Sequence, residues 1–167
     1  MRRFHWTPGG WRRVNPAGPS EGVGGDFELH SEGERCEMDV ESRREVIMEY
    51  LREEGYVPKI DDDGDVMFKC EGRTYYVILD ASDEQFYRLV FPNFWSIDDD
   101  AERSRVVAAA QAATAKTKVA KVFPVKDDTW ASIELFLPNP ESFTQVFSRS
   151  MSALRAVVQS FRDAMEQ

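Results

Sequence analysis

The chain has 167 residues, 42% of them hydrophobic and 12% aromatic, which suits one globular domain with a sizeable core. Thirty Asp and Glu against 21 Lys and Arg give a formal net charge of −9. That balance speaks against unaided nucleic-acid binding and against an anionic membrane surface, since phosphates and acidic headgroups would be repelled; it favours solubility or a basic partner.

Residues 1–38 hold Pro8, Pro16, Pro19 and seven of the ten glycines, with no apolar periodicity. This is the composition of a flexible N-terminal extension, and it leaves 39–167 as the folded domain. The start, MRRFHWTPGGWRRVNPAG, is basic but lacks the apolar stretch of a secretory signal. Trp6 and Trp11 among Arg2, Arg3, Arg12 and Arg13 read either as a short docking motif or as incidental aromatics. Met38 reads as an alternative translation start, because MDVESRREVIMEYL opens a helix almost at once. No run approaches the ~18 apolar residues of a membrane span. Cys36 and Cys70 form neither a CxxC pair nor a zinc spacing, so both read as reduced thiols of a cytoplasmic protein.

A first helix is expected over Ser42–Glu54, with Ser42 and Glu45 as a capping box, an apolar stripe of Val46, Ile47, Tyr50 and Leu51, and Gly55 as its C-terminal stop. Tyr56–Ile60 reads as a short extended piece. Asp61–Asp65, DDDGD, places carboxylates at alternate positions, but Gly64 precedes Asp65 and the twelfth position is Gly72. The calcium-loop pattern therefore fails, and an acidic turn is expected.

Three strands follow in Val66–Cys70, Thr74–Leu79 and Phe86–Phe91, broken at Glu71-Gly72 and Ser82–Gln85. Tyr75, Val77 and Leu79 face away from Tyr76 and Ile78; Tyr87, Leu89 and Phe91 face away from Phe86, Arg88 and Val90. Neither strand has a cleanly polar side, so both faces of the sheet should be occupied, whereas a half-solvated sheet alternates. Pro92-Asn93 is read as a turn, and Ser96–Asp100 as the acidic start of an alanine-rich helix running to about Ala115. Lys118–Lys126 and Thr129–Leu137 form a hairpin turning at Asp127-Asp128. In its second strand Ala131, Ile133, Leu135 and Leu137 face the core, and Trp130, Ser132, Glu134 and Phe136 face outward. Asn139 then caps a helix with Pro140 at its first position, carrying Phe143, Phe147, Leu154, Val158, Phe161 and Met165 at helical spacing. The order α-βββ-α-ββ-α predicts an α+β fold with an antiparallel sheet of about five strands and three helices.

Catalytic, metal and cofactor residues are absent from this reading. The only histidines, His5 and His30, lie in the extension, which removes Ser-His, Cys-His and His-zinc devices from the domain. No phosphate-cradling glycine motif occurs. Arg73 beside Tyr75 and Tyr76 reads as a solvated turn arginine or an anion holder. The aromatic residues exceed what one sheet face needs, so a partner surface is expected. Its residues are Trp130 and Phe136 on the outer face and the Phe91, Phe94, Trp95 corner, with all three helices on the other face. The helix Ala101–Ala115 is the alternative dimer element.

The segments EGRTYYVILD, FYRLVFPNFW and TKVAKVFPVKDDTWASIELFLPNPESF resemble the YbjN domain family, described as bacterial sensory transduction regulators and grouped with Tir-chaperone-like proteins, which include the type III secretion chaperones. The resemblance covers about Glu41–Gln167. It implies a type III secretion chaperone-like α+β fold, commonly dimeric, that binds a protein or peptide client along apolar patches and strand edges and performs no chemistry. The expected function is thus a non-enzymatic, cytoplasmic, chaperone-like or regulatory binding module. It would work as a homodimer, without nucleic acid, membrane or cofactor. The alternatives are a stress-related structural protein without a defined client and an unrecognised hydrolase using two carboxylates.

Overall fold

The computed structural model describes residues 4–7, 10–13 and 40–166. The chain divides into two compact units, Met1–Glu37 and Met38–Gln167. In the first, strand β1 (Phe4–Thr7) pairs antiparallel with β2 (Gly10–Arg13), with Trp6 opposite Trp11. The sequence reading found no strand here, because four-residue strands are too short for a period of two to register. The readings of His30, Cys36 and Met38, and of 1–3, 8–9 and 14–38 as flexible, fall outside the described residues.

The second unit runs α1 (Val40–Glu53), β3 (Lys59–Ile60), β4 (Val66–Cys70), β5 (Arg73–Leu79), β6 (Phe86–Ser96), α2 (Asp100–Lys116), β7 (Ala120–Val125), β8 (Asp128–Phe136), α3 (Ser142–Met165). It is an α+β fold with one six-stranded antiparallel sheet in the order β3-β4-β5-β6-β8-β7. The expected strand count was about five; the sixth is β3, two residues that pair with Val66 and Met67.

Local chemistry explains most boundaries. Helix α1 ends at Gly55, φ +86°, where the Gly55 N–H donates to Arg52 O and the Tyr56 N–H to Leu51 O, a left-handed stop that satisfies two terminal carbonyls. Its start lies at Val40, upstream of the capping box read at Ser42. Between β4 and β5 a two-residue loop places Glu71 and Gly72 at φ 52° and 76°, the mirror-image turn whose twist matches the strands it joins. The later hairpin turns at Lys126-Asp127, one residue before the expected position, since Val125 already pairs with Asp128. Asp99 is a true cap of α2: its carboxylate accepts from the Glu102 N–H at 2.7 Å, while Glu102 accepts from the Asp98 N–H. Asn139 instead accepts from the N–H and hydroxyl of Ser142, closing a turn ahead of α3, so that helix begins at Ser142 rather than Pro140.

Pro92-Asn93 is not the end of the third strand. Strand β6 passes through it as a bulge between Phe91 and Trp95 and pairs again with β8 at Trp95↔Thr129. Pro92 has no N–H to give the ladder, and Asn93 takes up the kink at φ 51°.

Register shows where the helices lie. Val66, Val77, Leu89, Ile133 and Ala120 oppose one another in sequence across β4, β5, β6, β8 and β7, so they share one face. They form one buried cluster with Leu51 of α1, Val106 and Ala113 of α2, and Phe143, Phe147 and Leu154 of α3. All three helices therefore cover this face. Its aromatic heart is a chain of rings: Tyr50 and Tyr87 edge-on to Phe143, and Phe147 against Phe68 and Tyr56. Among the described residues no helix is long and apolar enough to cross a membrane.

Candidate binding surfaces

The second face of the sheet carries the alternate residues, and no helix of the Met38–Gln167 unit packs on it. Its rows follow from the pairing: Met67, Tyr76, Val90, Ser132 and Lys121 in one line, Ile78, Arg88 and Glu134 in the next, and Phe86 opposite Phe136. Trp130 stands opposite Phe123, and its indole N–H donates to Asn93 Oδ1 at 2.8 Å. Phe136 is 74% exposed and lies 6.0 Å from Phe86, centroid to centroid.

Charge on this face is mixed: Lys59, Lys69, Arg88 and Lys121 point to it from the strands together with Asp128 and Glu134, and Asp65 acts on Arg88 and, with Asp61, on Tyr76. Glu134 is shared: Arg88 Nε lies 3.0 Å from one oxygen and Lys121 Nζ donates to the other at 2.6 Å. The side chain of Arg88 is nearly buried, and both cations lie over the Phe123 ring, at 6.0 and 5.6 Å from its centroid.

Of the five expected contact residues, Trp130 and Phe136 lie on this face. Phe91, Phe94 and Trp95 do not. Phe91 is 8% exposed on the helix-covered face, with its ring 4.9 Å from Tyr75 and 5.7 Å from Phe94. Phe94 and Trp95 both meet Phe161 of α3, at 5.2 and 5.7 Å, and the Trp95 N–H donates to Glu102. The bulge causes the correction, because it turns both residues toward α3. Helix α2, the alternative dimer element, turns Val106, Ala109, Ala110 and Ala113 inward against the core it shares with β7 and α3. Its small residues serve packing within the chain.

Both sheet edges are blunt. Strand β3 is two residues long, and β7 carries Lys121 and Pro124 between Lys118 and Lys126. Short strands, lysine and proline discourage another strand from pairing there.

The sequence reading missed a groove beside α3, of about 330 Å³. Tyr75, Phe91, Leu154 and Val158 line its apolar part, and Arg73, Arg155 and Arg162 its polar rim. The spacing of Arg155, Gln159 and Arg162 by four and three residues was the available signal; only Arg73 had been weighed.

The acidic turn is closed by its own carboxylates and tied to α1 by Arg44, whose Nε donates to Gly64 O at 3.0 Å. Asp61 Oδ1 accepts from the N–H groups of Asp63 and Asp65, and Asp65 Oδ1 accepts from the Leu79 N–H at 3.2 Å. Burial raises the Asp65 pKa to about 6; the Leu79 bond opposes the rise, and Asp61 and Asp63 add to it. Among the described residues no group of three or more His, Cys, Asp or Glu is placed to hold a metal ion.

No protein-family model matches the chain, and no curated protein matches it.

Proposed function

We propose that the chain is a non-enzymatic binding module that takes a protein segment on its second sheet face, the segment being apolar and acidic. One observation carries this reading: the one sheet face the helices leave alone gathers aromatic side chains, among them Trp130 and the 74% exposed Phe136, with the exposed Lys59 and Lys69 on the same face. Apolar contact supplies affinity there, and lysines at the rim choose an acidic partner and speed its arrival. The blunt edges favour a segment lying across the face over one that adds a strand. The resemblance to the YbjN domain family agrees with client binding and with a cytoplasmic setting.

The test uses a synthetic peptide alternating Glu with Phe and Leu, and a second peptide with Lys in place of Glu, each titrated calorimetrically into the full chain. The acidic peptide should bind, the lysine peptide at least tenfold more weakly, and a Trp130→Ala/Phe136→Ala variant with unchanged circular dichroism should lose the acidic peptide. Equal binding of both peptides, or binding untouched by the variant, sinks the proposal. So does a stable dimer by light scattering that Phe136→Ala dissociates, because a second copy would then fill the face.

A further inference from the structure

We infer that the groove beside α3 is a second, independent site, for a small organic anion with an oxyanion head on a compact apolar body. Its walls come from two elements. On β5, Arg73 and Tyr75 are two residues apart and so point to the same, helix-covered side of the sheet. On α3, Arg155, Gln159 and Arg162 form one stripe, with Leu154 and Val158 beside it. Guanidinium groups from a strand and a helix thus rim a single cavity of about 330 Å³. Phe91 and Tyr75 close the floor.

The charge of this groove is not neutralised from within. Arg155 reaches Cys70 Sγ at 3.2 Å and stands 4.0 Å from the Glu71 carboxylate, a distant pairing. Arg73 and Arg162 make no side-chain hydrogen bond or ion pair among the described residues. Beside the α3 stripe, the Asp163 carboxylate accepts from Gln159 at 2.7 Å. A chain with nine more acidic than basic groups has carboxylates to spare, yet among the described residues none pairs with these two arginines. Guanidinium forks match carboxylate and phosphate oxygens in pairs, and the apolar floor asks for more than a bare ion. The volume sits at the small end of ligand pockets, roughly 300–1,000 Å³, and suits a head with a single ring. A purely structural account exists for Arg162 alone, which lies in the last turn of α3 and complements the helix dipole. It does not account for Arg73 across the groove.

The experiment follows backbone amide signals and heats of the full chain against phenyl phosphate, benzoate, inorganic phosphate and benzyl alcohol. Phenyl phosphate or benzoate should bind saturably and move the signals of Arg73 and of 154–162, and the stronger of the two identifies the head. Inorganic phosphate and benzyl alcohol should each bind at least tenfold more weakly. Arg73→Gln and Arg162→Gln should each weaken the best probe about tenfold, the equivalent of ~1.4 kcal/mol, and their lysine counterparts less. Neither residue makes a side-chain bond among the described residues, so the unliganded melting temperature should hold in Arg73→Gln and fall only slightly in Arg162→Gln, which loses a cation at the helix C-terminus. Benzyl alcohol binding as tightly as benzoate would reduce the site to an apolar hole. Inorganic phosphate binding as tightly as phenyl phosphate would reduce it to unspecific charge. Binding unchanged in the Arg73→Gln/Arg162→Gln double variant, or no saturable binding of either aromatic anion, overturns the inference.

Discussion

Arg88 and Glu134 stand directly opposite each other on β6 and β8, and Arg88 Nε lies 3.0 Å from Glu134 Oε1. The contact is ionic rather than a well-directed hydrogen bond. Lys121 holds the other oxygen, so this carboxylate is shared by two cations. Burial lowers the Arg88 pKa, and Glu134 and then Asp65 push it back up. Removing one partner of a largely buried pair costs more than the pair contributes, because the remaining charge has lost its counter-ion. Glu134→Ala should therefore lower stability by about 2–3 kcal/mol in urea denaturation, less than for a fully buried pair because Glu134 is partly exposed. Lys121→Ala, at a half-exposed position, should cost below ~1 kcal/mol. An Arg88→Met/Glu134→Leu double variant should recover most of the loss. A Glu134→Ala protein as stable as wild type would show that the pair does not support the sheet.

Arg43 of α1 is 3% exposed and donates to three carbonyls of the β5–β6 connection: Asp80 O at 2.6 Å, Glu84 O at 3.0 Å and Asp83 O at 3.3 Å. A guanidinium can fan several donors over a loop; a lysine cannot reach all three from one position. Arg43→Lys should cost about 2 kcal/mol, on the order of 1 kcal/mol for each bond lost beyond the first. Hydrogen exchange should accelerate at the Ser82, Gln85 and Phe86 amides and stay unchanged in β8. Uniform acceleration along the chain would mean that Arg43 supports global stability and not this loop.

The face assignments were legible in sequence because period-two alternation survives even where both faces are apolar. Tyr75, Val77, Leu89, Ala131 and Ile133 lie on the helix side, and Ile78, Arg88, Trp130 and Phe136 on the other. The alternation fails at Pro92-Asn93, where a bulge resets the faces and carries Phe94 and Trp95 into the core. No single-sequence pattern separates a bulge from a turn when Pro and Asn fit both. The reach of Arg43 across 37 to 41 residues, and the meeting of Arg73 with Arg155, depend on tertiary placement that periodicity does not encode.

Phe91 and Phe136 test that distinction directly, since a reading by composition treats them alike. Phe91 is 8% exposed between Tyr75 and Phe94, so Phe91→Ala should cost about 3–4 kcal/mol through lost burial and the cavity left behind. Phe136 is 74% exposed, and Phe136→Ala should stay within about 0.5 kcal/mol of wild type. Equal losses in chemical denaturation would mean that Phe136 is covered in solution.

Asp65 gives stability a pH dependence of unusual sign for a carboxylate. Its pKa rises from 3.8 to about 6 on folding, because the turn buries it beside Asp61 and Asp63 more than the Leu79 N–H offsets. Below pH 3.8 it is protonated in both the folded and unfolded chain. Between 3.8 and 6 the folded chain holds the proton and the unfolded chain does not, so stability falls as pH rises. Above about 6 the charge is buried at full cost, of order 2 kcal/mol. Asp65→Asn keeps an oxygen for the Leu79 N–H and removes the titration. The two proteins should unfold at similar urea concentrations at pH 4, and the variant should be the more stable by about 2 kcal/mol at pH 7.5. The difference between the curves reports the Asp65 charge together with its repulsion by Asp61 and Asp63. Curves that run parallel from pH 4 to 7.5 would show that Asp65 ionises as freely folded as unfolded.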